Sequence, residues 1–485
     1  MKKRFSDSLS ALLLAGQIFC LAAVFPGAVL PPGQGFCSVA EAAAVSGTDG
    51  EGVQRRGTLR ERLAALGVNL PAGKGGGEAA GLGRGLRRDG GSLKDGLRHQ
   101  TVFVIPKDAR KVDADDLRIA YMGRWQHNGD GTMSTGRGAV TLELAFRGSF
   151  AAVEIQGEAP VWWEVSVDDG PFRRFRGEDG VNILASGLGR GNHTLVLVRD
   201  TEGSQGVTRV ERFLLDRNSW VLPARDAKGK VLAESGARRI EFVGDSVTAG
   251  AFLQPGEDYF QREDGYRAFG PRTARLLGAE WSCVASSGEG VARNNQERPP
   301  YDSFHAADQY DRTFFSEEEP RWNSFYWKPD VVVVAFGEND YNDPSLAPAP
   351  AVFRNAYREL LGKIRRMNPE AVILCLSPAG FDSAGPASPQ IQSVVEGLRL
   401  AGDRKVYWID LHEKPDFYGI HSSGGVLARR LEESAGLVAG RDLLMEGDFL
   451  DGVHPRSSGH EKMARILAGK IAGIMDWDLT EREKG

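Results

Sequence analysis

A serine carried to the end of an apolar strand by a glycine turn is placed to act as a nucleophile, and Arg239-Ile240-Glu241-Phe242-Val243-Gly244-Asp245-Ser246 has that form. A serine hydroxyl attacks poorly until a base takes its proton. His454, in Asp451-Gly452-Val453-His454-Pro455, supplies an imidazole for that task, and Asp451 can hold its other ring nitrogen. Taken singly, a Gly-Asp-Ser triplet suits a turn closed by its own side chains, and His454 or Asp451 suits a capped loop before a helix. Their weight comes from company at strand ends: Gly288 in Ser286-Ser287-Gly288-Glu289-Gly290 and Asn339 in Gly337-Glu338-Asn339-Asp340.

In that order the four segments resemble the signature blocks of the SGNH, or GDSL-type, hydrolase superfamily, named for its Ser, Gly, Asn and His. The resemblance implies an oxyanion hole made by the Ser246 and Gly288 backbone amides and the Asn339 side-chain amide. Losing one such donor typically costs roughly a hundredfold in rate or more. Glycine at 288 is expected because a side chain there would crowd the substrate. Glu338 departs from the threonine that related enzymes often carry at its position. The G-x-S-x-G elbow of the α/β-hydrolase fold is absent. There is no zinc-binding spacing, and Ser-His-Asp chemistry calls for no metal or cofactor.

The elements that must position these residues are strands 239–243, 281–285, 331–336, 371–376 and 405–409, alternating with helices such as 351–367, 391–400 and 457–474. This predicts an α/β domain over 236–480, a three-layer fold with a five-stranded parallel sheet. Val331-Val332-Val333-Val334 is apolar enough for a strand buried on both faces. The resemblance implies a flavodoxin-like 2-1-3-4-5 order, which brings Ser246, Gly288 and Asn339 to one carboxyl edge. His305, His412, His421 and His460 gain no support from the motif set and are read as structural or surface residues. Cys283 and Cys375 fall in central strands and read as buried thiols.

Residues 99–225 have a different texture. Short alternating runs at 139–146, 152–155, 163–167 and 194–198, separated by turns, predict an all-β sandwich. Gly123-Arg124-Trp125, Val167-Asp168-Asp169-Gly170 and Gly191-Asn192-His193-Thr194 resemble the N-terminal jelly roll of carbohydrate esterase family 2. Of the adjacent Trp162 and Trp163, one should enter the core, leaving the other partly exposed or covered, and a sugar-stacking platform is open to the pair. The long connection 301–327 is rich in aromatics, Trp322, Tyr326 and Trp327 among them. It either walls the cleft and stacks a sugar, or packs against the sandwich.

The N-terminus reads as an export signal over 1–42: Lys2-Lys3-Arg4, an uncharged apolar stretch, then Ala40-Glu41-Ala42 for cleavage. That predicts a secreted or periplasmic protein, with an uncleaved membrane anchor as the lesser alternative. Residues 43–98 are a Gly/Arg-rich linker, whose basic excess leaves envelope association open. A net charge of −5 over 485 residues gives no case for nucleic acid binding. The resemblance spans both ordered domains and implies an extracytoplasmic O-deacetylase acting on an acetylated carbohydrate. A lipase or thioesterase of the same superfamily, or a catalytically inactive glycan-binding module, are the other readings.

Overall fold

The computed structural model describes residues 105–224, 237–325, 327–412 and 444–480. The expected signal and linker, Tyr326 and His421 lie outside the described residues.

The first half is an antiparallel β-sandwich: β1 (Arg110–Asp113), β2 (Ala120–Met122), β3 (Gln126–His127), β4 (Met133–Thr135), β5 (Val140–Gly157), β6 (Val161–Val167), β7 (Arg173–Gly177), β8 (Gly180–Arg199), β9 (Thr208–Leu215) and β10 (Trp220–Leu222). β5 and β8, with 18 and 20 residues, pair along their length and pass through both layers. The first part of β5 pairs β2 and β10, and its last part pairs β9. Runs 139–146 and 152–155, expected as separate strands, are therefore one strand bent at two register shifts near Gly148 and Ala151. A Cβ on Gly148 would lie 2.1 Å from Ser219 Oγ, so a side chain at this corner would have to displace that hydroxyl.

Trp163 is in the sandwich core, and Arg174 lies over the ring of Trp162 at 4.9 Å. The Asp168-Asp169 turn has both residues in the left-handed region, φ 53° and 56°. Asp168 also accepts from Thr194 N at 2.9 Å and pairs with His193 Nδ1 at 2.6 Å, which joins the two turn motifs.

The second half holds β11 (Arg238–Gly244), β12 (Ala279–Ala285), β13 (Val331–Ala335), β14 (Val372–Leu376) and β15 (Val406–Ile409), all parallel, in the order β12-β11-β13-β14-β15. Its helices are α1 (Ser246–Ala249), α2 (Phe269–Leu276), α3 (Ala306–Gln309), α4 (Glu338–Tyr341), α5 (Pro350–Met367), α6 (Phe381–Leu400) and α7 (Ser457–Met475). Alternation along each strand divides the core. Val331 and Val333 pack with Phe269 of α2 and Leu467 and Ile471 of α7, while Val332 and Val334 pack with Tyr357 and Leu361 of α5 and Ile391 of α6. Cys283 and Cys375 are buried free thiols, and burial pushes the Cys375 thiol up to about 12.

Buried polar contacts join the halves. Arg124 of the sandwich donates to Glu241 of β11 at 3.0 Å and to the carbonyls of Tyr310 and Arg312 at 2.5 and 2.8 Å. Trp281 of β12 donates its Nε1 to Ala139 O at 2.8 Å. Arg174 of β7 pairs with Asp200 at 3.1 Å and grips the carbonyls of Gln261 and Glu263.

Candidate active site

β11 ends on Gly244, where a Cβ would collide with Thr248 Oγ1 and Ala335 O. Asp245 then caps α1, its Oδ1 accepting from Val247 N at 3.1 Å, which sets Ser246 at the first position of a four-residue helix. The local turn chemistry of the triplet and the delivery of a serine are the same structure. Burial, followed by the nearby Glu338, Asp340 and Glu289, pushes the Asp245 carboxyl well above its ordinary range.

Ser246 Oγ lies 3.0 Å from His454 Nε2, and His454 Nδ1 lies 2.8 Å from Asp451 Oδ2. Asp451 Oδ1 also accepts from the backbone amides of His454 at 2.8 Å and Val453 at 3.1 Å. Burial alone would raise this carboxyl, but the bonds from the His454 ring, the two amides and the histidine charge outweigh it and bring it down to about 2. The carboxylate therefore stays charged and fixes the proton on Nδ1, leaving Nε2 to face the serine. The loop is held by Leu450 N donating to His454 O at 2.9 Å and by a bridge between Phe449 and Pro455.

Gly288 and Asn339 come to the same edge. Neither the Ser246 nor the Gly288 amide has an acceptor among the described residues. Asn339 Nδ2 donates to Glu289 O at 2.8 Å and, at a longer 3.3 Å, to Asp245 Oδ2. At Gly288 the backbone itself favours glycine, because φ is +79°; a Cβ there would meet Asn295 Cβ at 3.6 Å.

The aromatic expectations need correction. Trp327 donates to Glu280 and lies under Arg239, side chains from the starts of β12 and β11. That is the amino edge of the sheet, roughly 16 Å of extended strand from Arg239 to Gly244 at about 3.3 Å per residue before the turn that carries Ser246. Trp322 stacks on Arg124 at 5.3 Å, in the junction with the sandwich. Farther along the same connection, Phe314 and Phe315 face Gly136 and Gly203 of the sandwich, so this part of it packs rather than walls a cleft. The aromatics beside the site are Phe252 and Tyr259. The Phe252 ring meets the His454 ring edge-on at 4.7 Å, with Tyr259 at 5.0 Å and Arg262 at 4.3 Å on its other sides. The signal available was an aromatic pair within fifteen residues of the nucleophile, in a loop with no periodicity.

These distances describe a serine, imidazole and carboxylate in relay at the carboxyl edge of a 2-1-3-4-5 sheet, with amide donors alongside. Residues 242–462 match the GDSL-like Lipase/Acylhydrolase family, and residues 121–224 match the Carbohydrate esterase 2 N-terminal family. The chain belongs to carbohydrate esterase family 2. It is 30% identical over 386 residues to the cellulase/esterase CelE of Acetivibrio thermocellus, covering 76% of this chain but 41% of that protein. An acetylxylan esterase / glucomannan deacetylase of Cellvibrio japonicus is 26% identical over 381 residues, which are 76% of this chain and 91% of that protein. The structure of a family two carbohydrate esterase from Clostridium thermocellum in complex with cellohexaose superposes with a TM-score of 0.60 at 25% identity, over 74% of this chain and 99% of the other. A family two esterase from Cellvibrio japonicus has the same fold, with a TM-score of 0.62 at 22% identity, over 76% and 98% of the two chains.

In this family two member, His305, His412 and His460 each have a partner other than the serine. His305 pairs with Glu297 at 2.8 Å, and His412 Nε2 lies 3.0 Å from Pro378 O. His460 is fully buried and accepts from Phe269 N at 3.0 Å through Nδ1. Burial, then the charges of Arg272 and His454, lower its imidazole to about 3. Folded protein keeps His460 neutral while unfolded chain takes up a proton below 6.5, so stability is full above that pH and is lost as pH falls towards 3. His460→Asn retains an acceptor for Phe269 and removes the titration. The stability gap between wild type and variant should narrow from pH 8 to pH 5, as read by urea denaturation; a constant gap would contradict the assignment.

Proposed function

We propose that this chain hydrolyses O-acetyl esters of a carbohydrate outside the cytoplasm. Ser246 Oγ attacks the acetyl carbonyl as His454 Nε2 takes its proton, and Asp451 stabilises the imidazolium. The oxyanion is held by the Ser246 and Gly288 amides and by Asn339 Nδ2, whose longer bond to Asp245 is the hydrogen it can redirect. His454 then protonates the departing sugar oxygen as its bond to the acetyl carbon breaks, leaving acetyl-Ser246 and a sugar hydroxyl; His454 next takes a proton from the water that attacks the acetyl group and returns it to Ser246 Oγ as acetate leaves. The observation that carries this reading is the 3.0 Å and 2.8 Å relay from Ser246 through His454 to Asp451.

The names of the Cellvibrio relatives support an acetylated polysaccharide as substrate. The Lys2-Lys3-Arg4 and Ala40-Glu41-Ala42 signal pattern supports export. The test is a series of aryl esters from acetate to octanoate, followed by acetate release from acetylated xylan and glucomannan. Acetate should be turned over at least about tenfold faster than octanoate, a difference of about 1.4 kcal/mol in the barrier. Preference for octanoate would overturn the deacetylase reading in favour of a lipase or thioesterase. Folded protein that turns over nothing yet binds glycan would make it a binding module.

A further inference from the structure

The turn carrying Gly288 is held on both sides by the β-sandwich. On one side is Glu202, a buried sandwich residue just past β8. Its Oε2 accepts from Ser287 N at 2.7 Å and its Oε1 accepts from Ser204 Oγ at 2.5 Å. Its own amide donates to Glu263 Oε2 at 3.1 Å, which fixes the carboxylate's root as well as its tip. Ser287 Oγ accepts from Tyr259 OH at 2.7 Å, so the same serine ties in the aromatic loop beside His454.

On the other side, Glu289 Oε1 accepts from Gln309 Nε2 at 2.6 Å, and Gln309 Oε1 accepts from the guanidinium of Arg137, a fully buried sandwich residue. Glu289 O in turn receives Asn339 Nδ2. Between these anchors sits Gly288, at φ +79°, a residue whose backbone resists rotation less than any other. Its carbonyl accepts from Asn295 N at 2.8 Å, and the direction of its amide is set with it by what holds residues 287 and 289.

We propose that Glu202 is a positioning residue for the oxyanion hole, through which the sandwich domain aims the Gly288 amide. This rests on the hydrolase reading above. A preorganised donor acts on the transition state and leaves ground-state binding of the ester nearly untouched, so loss of the anchor should appear in kcat rather than KM. An arylboronic acid, which forms a tetrahedral adduct on a catalytic serine, reports on the same donors.

The experiment uses the full chain with Glu202→Ala, Glu202→Asp and Glu202→Gln. Glutamine keeps an oxygen acceptor at the same reach, whereas aspartate keeps the charge but retracts the acceptor by one methylene. For an aryl acetate, Glu202→Ala and Glu202→Asp should lower kcat about tenfold to a hundredfold with KM within about twofold, and should weaken boronate inhibition by a similar factor. Glu202→Gln should stay within about threefold of wild type on both measures. If the alanine variant does not fold, the aspartate and glutamine variants carry the same comparison. Unchanged kcat in Glu202→Asp beside an active wild type would overturn the inference and leave the hydrolase reading standing. Equal losses in aspartate and glutamine variants, with boronate affinity unmoved, would reduce Glu202 to a structural contact. A wild type that turns over no ester overturns both.

Discussion

Ser246→Ala is expected to lower kcat for an acetate ester by a factor on the order of 10⁵ while leaving the folded structure in place. The side chain removed is one small hydroxyl at the start of α1, and what is lost with it is its hydrogen bond to the base His454. The helix cap belongs to Asp245, not to Ser246, so α1 loses nothing. His454→Ala should cost about as much, because nucleophile and base act as a unit and removing either removes the acyl-enzyme route. Asp451→Asn should cost less, on the order of 10² to 10⁴. Its side chain is 46% exposed, so water can take part of its role at Nδ1, although an amide no longer enforces the tautomer. Single-turnover kinetics with an aryl acetate read all three. Residual turnover above about one per cent in Ser246→Ala would rule out this serine as the nucleophile.

Arg124→Met should destabilise the whole described fold by about 3 to 5 kcal/mol. Arg124 and Glu241 are 0% and 2% exposed, in a pair that crosses from the sandwich into β11, an inner strand of the parallel sheet. Removing the guanidinium leaves a carboxylate in the core with Tyr310 OH at 2.6 Å and Ser282 Oγ at 3.2 Å as its donors, and frees the Tyr310 carbonyl, while the Arg312 carbonyl keeps Arg137 Nη2 at 3.0 Å. The double variant Arg124→Met, Glu241→Gln should recover a substantial part of the loss, because the uncompensated charge is gone. Urea denaturation of the two single variants and the double variant measures the coupling. Strict additivity would show that the pair is not the link between the domains.

What was legible in the sequence was whatever local chemistry writes. The continuous valines of β13 announce a strand covered on both faces, and the five parallel strands fall within two residues of expectation. The four motif blocks meet because strand order places their loops together. Helix α6 begins ten residues before the expected start and takes in Pro386 and Pro389, residues that disfavour a helix interior. Burial of Ala387 and Ile391 against the sheet holds a helix there that propensity would reject. β5 read as two strands because the register shifts at its corner interrupt the alternation. The substrate aromatics were misplaced for a related reason: composition showed that the 301–327 connection is rich in rings, but not at which end of the sheet it runs. Glu202 was invisible because its bond to Ser287 spans 85 residues and belongs to no periodic pattern.

The loop from Leu450 to Pro455 has a consequence for how the machinery is divided. Asp451 and His454 are three residues apart and meet within one closed turn, whereas His454 and Ser246 are separated by 208 residues. Base and carboxylate can thus be oriented towards each other before either has found the sheet. The nucleophile and oxyanion donors form a second subassembly, and the two mate through the Ser246 to His454 bond and the Phe252 ring set edge-on against the imidazole. A ligand or substitution that tilted the 450–455 loop would uncouple proton transfer without dismantling either part, giving an enzyme that still recognises its ester but cannot cut it.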